Sequence, residues 1–205
     1  MDSLAEATEG LAVLCGQPPP AGDRVAVLSN AGGGGVLAVD ACTRYGLRPA
    51  TLTEATRSAL AALLPPAASV TNPVDATATV PASTFRCAIE QLSLDPSVDV
   101  VFAVAVSTDA GDPLTDLGSM ATGTPLVVVR LGQPVGVDRL ATSGPSALAP
   151  AVFADPSVAA RALSLAVRRS RWLAATDRPL PAPLGVDLAG RPADRRRRAG
   201  RAPGR

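Results

Sequence analysis

At 205 residues the chain can bury one good core, and the changed character of its last stretch points to one domain plus a tail rather than two domains. All 19 basic residues are Arg; the absence of Lys and His excludes a Walker-type phosphate loop, Schiff-base chemistry, a Ser-His-Asp triad and imidazole ligation of a metal. The net charge of +1 hides an acidic body, 11 Arg against 16 acids in residues 1–177, and a basic end, 8 Arg against 2 acids in residues 178–205.

Residues 1–22 read as a lead-in helix over 3–15, with Leu4, Leu11 and Leu14 at helical spacing, followed by a Pro-rich linker. The N-terminal residues are acidic where a signal peptide is basic, and no apolar run approaches the about 18 residues of a membrane span, so the chain reads as cytoplasmic. Residues 23–176 form the predicted domain. Its first strand is 24–29, a continuous apolar run of the kind buried on both faces of a parallel sheet. A glycine loop over 30–35 follows, then a helix over 36–45 ended by Gly46. A second strand is expected over 47–52, and Thr53 caps a helix over 54–64 that Pro65 and Pro66 stop. Residues 71–75 read as a loop and 82–94 as a helix; 98–106 and 125–131 are β-branched strands. A short strand at 150–154 precedes a helix that Asp155 caps and that runs to about Ala174. Five strands alternating with helices predict an α/β fold: a flavodoxin-like five-stranded parallel sheet, order 2-1-3-4-5, with helices on both faces. Residues 177–205, rich in Pro and Arg and without period, are expected to be a disordered tail.

The first strand ends against Asn30, Ala31, Gly32, Gly33, Gly34 and Gly35, at the sheet edge where α/β proteins bind ligands. Glycines leave the first-turn amides of the next helix bare, and the helix dipole adds about half a positive charge there, so phosphate is the expected guest. Asn30 can add a donor or cap the helix. Two other readings stay open: a tight turn whose glycines only permit positive φ, and a dinucleotide- or CoA-binding Rossmann-like module, because Gly33, Gly35 and Ala38 fit G-x-G-x-x-A and Glu54 follows at a suitable distance. Cys15, Cys42 and Cys87 suit neither a disulfide framework nor a zinc site and read as small buried apolar groups. Asp109 and Asp112 either hold Mg²⁺ through water or form an acidic loop in which Asp112 starts a helix. No catalytic residue and no direct metal ligand is assigned. Arg161, Arg168, Arg169 and Arg171 read as a solvated helix face, and the body lacks the basic face and aromatics that would make nucleic acid the expected partner.

Four strings in register, RVAVLSNAGGGG (24–35), LLPPAASVTNPVD (63–75), LDPSVD (94–99) and SVAARAL (157–163), span about residues 3–176. Together they resemble the succinyl-CoA synthetase-like flavodoxin domain of NDP-forming acyl-CoA (acetyl-CoA) synthetases, including the GNAT-fused protein acetyltransferase type of actinobacteria. The resemblance implies a phosphohistidine relay between ATP and an acyl phosphate, coupled to CoA thioester formation. It implies that the segment Asn30 to Gly35 opens a power helix that stabilises the phosphohistidine, with the loop of Asn72, Pro73 and Asp75 beside it. ATP/ADP, CoA and Mg²⁺ are implied for the complete enzyme and none for this chain alone. The implied partners are a CoA-binding/phosphohistidine domain and an ATP-grasp domain or subunit. The family often has Pro where Gly34 stands, and its histidine precedes the region matched. This chain, without any His, is expected to be a fragment, subunit or remnant that is inactive alone.

Overall fold

The computed structural model describes residues 3–115, 117–120, 123–134, 136–140 and 149–176, so the predicted tail lies outside the described residues. Helix α1 (Leu4–Gly16) starts where the Ser3 hydroxyl accepts the Glu6 amide at 3.2 Å. Strand β1 (Arg24–Ser29) is followed by α2 (Gly32–Arg44), β2 (Arg48–Pro49) and α3 (Glu54–Leu63), whose Thr53 hydroxyl accepts the Thr56 amide as predicted. Then come β3 (Val74–Asp75), α4 (Ala82–Ser93), β4 (Val100–Ala105), β5 (Leu126–Arg130), β6 (Val137–Arg139) and β7 (Ala151–Phe153). The final helix, α5 (Pro156–Thr176), is capped by Asp155, which accepts the Ser157 and Val158 amides at 2.7 and 3.3 Å. The compact unit ends at Ala175.

The sheet runs β2-β1-β4-β5-β7-β6, with β3 on β1. Its parallel strands β2, β1, β4, β5 and β7 reproduce the expected order 2-1-3-4-5. Two strands were not expected: β3, parallel to β1, and β6, an antiparallel edge on β7. The second predicted strand shrinks to two residues because β1 divides its outer edge, pairing with β2 at Arg24 and Val25 and with β3 at Leu28 and Ser29. Successive residues of a strand face opposite sides of the sheet. Ala26 and Leu28 accordingly join Leu60, Phe85, Ile89 and Leu92 on the α3/α4 face, while Val25 and Val27 join Val13, Ala38, Leu163 and Ala166 on the α1/α2/α5 face.

Three local expectations change. Helix α2 begins at Gly32, four residues earlier than read, because Ala31 is extended and its carbonyl already accepts the Gly35 amide at 3.1 Å; the glycines are the helix's first turn, not a loop before it. Among the cysteines Cys42 is buried, but Cys15 is exposed and Cys87 only half-buried. The arginines of α5 are not simply solvated: Arg161 meets Glu9 at 2.6 Å and Glu6 at 3.6 Å, and Arg171 bonds Asp23.

Candidate functional site

The connection from β1 goes to β2 on one side while β4 lies on the other, so the loops leaving β1 and β4 diverge at a topological switch point. Asn30 closes the two loops together: its amide nitrogen donates to the Val106 carbonyl and its oxygen accepts the Val106 amide, both at 2.9 Å. The side chain is committed to this junction and makes no capping bond to α2. The cap position is Ala31, whose own amide donates to the Ser29 hydroxyl at 2.9 Å, while that hydroxyl donates back to the Ala31 carbonyl at 2.8 Å. Ser29 is a site residue the sequence reading missed; its only signal was a hydroxyl at the end of an apolar strand.

The amides of Gly32, Gly33 and Gly34 have no acceptor among the described residues, as the first turn of a helix requires when no side chain caps it. The four glycines divide by what surrounds them. A Cβ on Gly34 would meet Leu131 Cδ1 at 3.0 Å and Val104 Cγ1 at 3.1 Å, and one on Gly35 would meet Ser29 Cβ at 3.3 Å and Pro73 Cβ at 3.5 Å. These two glycines let the helix lie close on the sheet. Gly33 faces open space, and a Cβ on Gly32 would lie 2.7 Å from Asp75 Oδ2. The exposed part of the turn is thus Gly32 and Gly33, flanked by one carboxylate and by Val36 and Leu37, which are also exposed. A cleft of about 320 Å³ here is lined by Ser29, Gly32, Val36, Thr71, Pro73 and Asp75 among others.

The second loop holds the cleft's far wall. Asn72 sits in the gap between β2 and β3: its oxygen accepts the Val27 amide at 2.9 Å and its nitrogen donates to the Val25 and Ala50 carbonyls at 2.8 and 2.9 Å. It gives the Val27 amide the acceptor that neither neighbouring strand offers, and it shares the Val25 carbonyl with the Ala50 amide. The Asn72–Pro73 bond is cis, and Thr77 holds a φ of 70°, with its amide donated to Asp75 Oδ1 at 3.0 Å. Of this loop, Pro73 and Asp75 line the cleft while Asn72 serves the sheet.

Two further candidates, Glu54 and Asp112, are engaged elsewhere. Glu54 pairs with Arg57 in the first turn of α3, and Asp112 accepts the Leu114 amide at 3.0 Å and pairs with Arg130. No group of three or more possible metal ligands occurs among the described residues. Three carboxylates titrate below the usual range. The Arg48 guanidinium lowers Asp23, with burial opposing and Arg171 adding, and Arg24 lowers Asp99. For Asp95 burial acts upward, but hydrogen bonds from Thr56, Ser97 and Thr53 outweigh it. All three brace loops around the sheet rather than the cleft. Burial pushes the Cys42 thiol up to about 12.

A Ligase-CoA domain model matches residues 25–132. The chain is 43% identical over 90 residues to the acetate–CoA ligase (ADP-forming) II subunit alpha of Pyrococcus furiosus, covering 44% of this chain and 20% of that protein. It is 28% identical over 182 residues to the I subunit alpha of the same organism, covering 84% of this chain and 38% of the relative. The chain therefore spans 20 to 38% of the length of these two relatives. The apo form of the dinucleotide forming acetyl-coenzyme A synthetase 1 of Ca. Korarchaeum cryptofilum matches with a TM-score of 0.68 at 22% identity, over 88% of this chain and 41% of that one, a likeness that speaks for the fold alone.

Proposed function

The chain belongs to the Ligase-CoA domain family, and from that premise we propose that it is the phosphate-facing domain of an ADP-forming acyl-CoA ligase, which cannot complete the reaction alone. The observation that carries this reading is the set of Gly32, Gly33 and Gly34 amides without acceptors at the carboxyl edge of the sheet. Bare amides and the dipole of α2 suit a phosphoryl oxyanion and supply preorganised stabilisation with no side chain. The chain has no His and no Lys, so a phosphoryl carrier of either type would be supplied from elsewhere; the family resemblance assigns that role to a histidine of a CoA-binding/phosphohistidine domain, and ATP/ADP and Mg²⁺ to an ATP-grasp domain or subunit. CoA likewise enters through the complete enzyme. The part played here is to hold the oxyanion, keep the cleft wall fixed through Pro73 and limit binding through Asp75, whose carboxylate flanks Gly32.

Titration of the pure chain with inorganic phosphate, followed through the glycine amides by NMR, tests this. Saturable shifts are expected at Gly32, Gly33 and Gly34 and none at Gly46 or Gly111. Asp75→Asn removes a like charge worth about 1 kcal/mol in water, so phosphate should bind about fivefold tighter. Unmoved glycine signals, or thioester synthesis from acetate, ATP and CoA by the pure chain, would refute the reading.

A further inference from the structure

The last turns of α5 extend past the core. Its buried residues end at Val167, and none of residues 168–175 is buried, about 12 Å of helix with no core beneath it. This stretch carries the chain's one Trp. Trp172 is 60% exposed and Leu173 44%, whereas Phe85, Phe102 and Phe153 are all fully buried. Around Trp172 lie Arg169, 5.1 Å from the ring centroid, and Arg168, neither with a carboxylate partner among the described residues. Arg171 is held by Asp23. A cleft of about 530 Å³ here is lined by Leu14, Leu165, Arg168, Arg169, Arg171 and Trp172.

The same helix shows, one heptad earlier, what such a face accepts. Arg161 grips Glu9 and Glu6 of α1, itself an acidic helix. Residues seven apart lie on one helical face, so Arg168 repeats Arg161 and Trp172 repeats Leu165, but no carboxylate among the described residues answers the second arginine. We propose that the exposed end of α5 docks an acidic amphipathic helix of another domain or polypeptide, seated one heptad beyond α1. Charge selects the occupant: residues 178–205, with 8 Arg against 2 acids, have the wrong sign. A nucleic acid strand is disfavoured by the single aromatic, which Arg169 already covers on one side, and by the acidic body. The proposal is independent of the phosphate reading.

Because Trp172 is the lone indole, its emission in the full chain reports the surface directly. The probe is a Trp-free synthetic peptide copying residues 3–16 with Cys15→Ser, compared with the same peptide carrying Glu6→Gln and Glu9→Gln, and with oligothymidylate. A saturable blue shift that weakens with salt is expected for the acidic peptide. It should weaken at least about tenfold in the Gln peptide and in the Arg168→Glu, Arg169→Glu chain. The milder pair Arg168→Gln, Arg169→Gln serves if the reversal unfolds the chain by circular dichroism, and replacing Arg195, Arg196, Arg197 and Arg198 by Gln should leave the shift intact. The proposal is overturned by an unchanged emission at saturating peptide, by a shift indifferent to Arg168 and Arg169, or by tighter binding of oligothymidylate.

Discussion

Alanine at Gly33 and alanine at Gly34, neighbours in one helical turn, should move stability in opposite directions. At Gly33 the new methyl meets nothing within 4 Å. The exchange then gains up to about 1 kcal/mol from helix propensity and lost freedom in the unfolded chain. At Gly34 the methyl would stand 3.0 Å from Leu131 Cδ1 and 3.1 Å from Val104 Cγ1, inside the about 3.5–4.0 Å that carbon contacts prefer. Val104 is fully buried in the central strand β4 and cannot withdraw. Overpacking of this kind costs about 2 kcal/mol; with the propensity gain set against it, Gly34→Ala should lose about 1 kcal/mol. The two variants then differ by about 2 kcal/mol, or about 4–8 °C in melting temperature for a domain of this size. Thermal and urea unfolding followed by circular dichroism measure the gap. Equal stabilities, or Gly33→Ala as the weaker of the two, would refute the division of this turn into a packed half and an open half.

Asn72→Ala should destabilise the fold by about 2 kcal/mol in urea unfolding, since it takes the acceptor from the Val27 amide and a donor from the Ala50 carbonyl, while the Val25 carbonyl keeps the Ala50 amide. Stability should be level above about pH 4 and fall below it. Asp23, Asp95 and Asp99 titrate lower in the folded than in the unfolded chain, so their contribution is present above the unfolded value and lost as pH drops through the folded one. Asp95→Asn should lower stability at neutral pH and shallow that acid limb, read by melting temperature across pH. In the native chain at pH 8, iodoacetamide should label exposed Cys15 rapidly and spare Cys42, whose thiol burial pushes up to about 12; mass spectrometry of the peptides distinguishes them.

The central strands were plain in the sequence because burial on both faces leaves no polar interruption: residues 24–29 were read to the residue, and 98–106 overran Val100–Ala105 only at its ends. What escaped depended on distant partners. Four glycines argue against helix by propensity, and the helix nevertheless starts among them because Gly34 and Gly35 must approach Val104, Leu131, Ser29 and Pro73. The fate of Asn30 was decided by Val106, far along the chain, and that of Arg161 by Glu9 from the opposite end. Strands β3 and β6, only two and three residues long and set in no apolar run, carry too little pattern to be read. The glycine turn was legible as a location; which glycines serve packing and which stand open was not.

The paired bonds between Asn30 and Val106 make the junction of the loops leaving β1 and β4 a riveted joint rather than a flap. Loops that share two hydrogen bonds through one fully enclosed side chain are tied to move together. Anything that binds beside it meets a fixed berth rather than a closing flap.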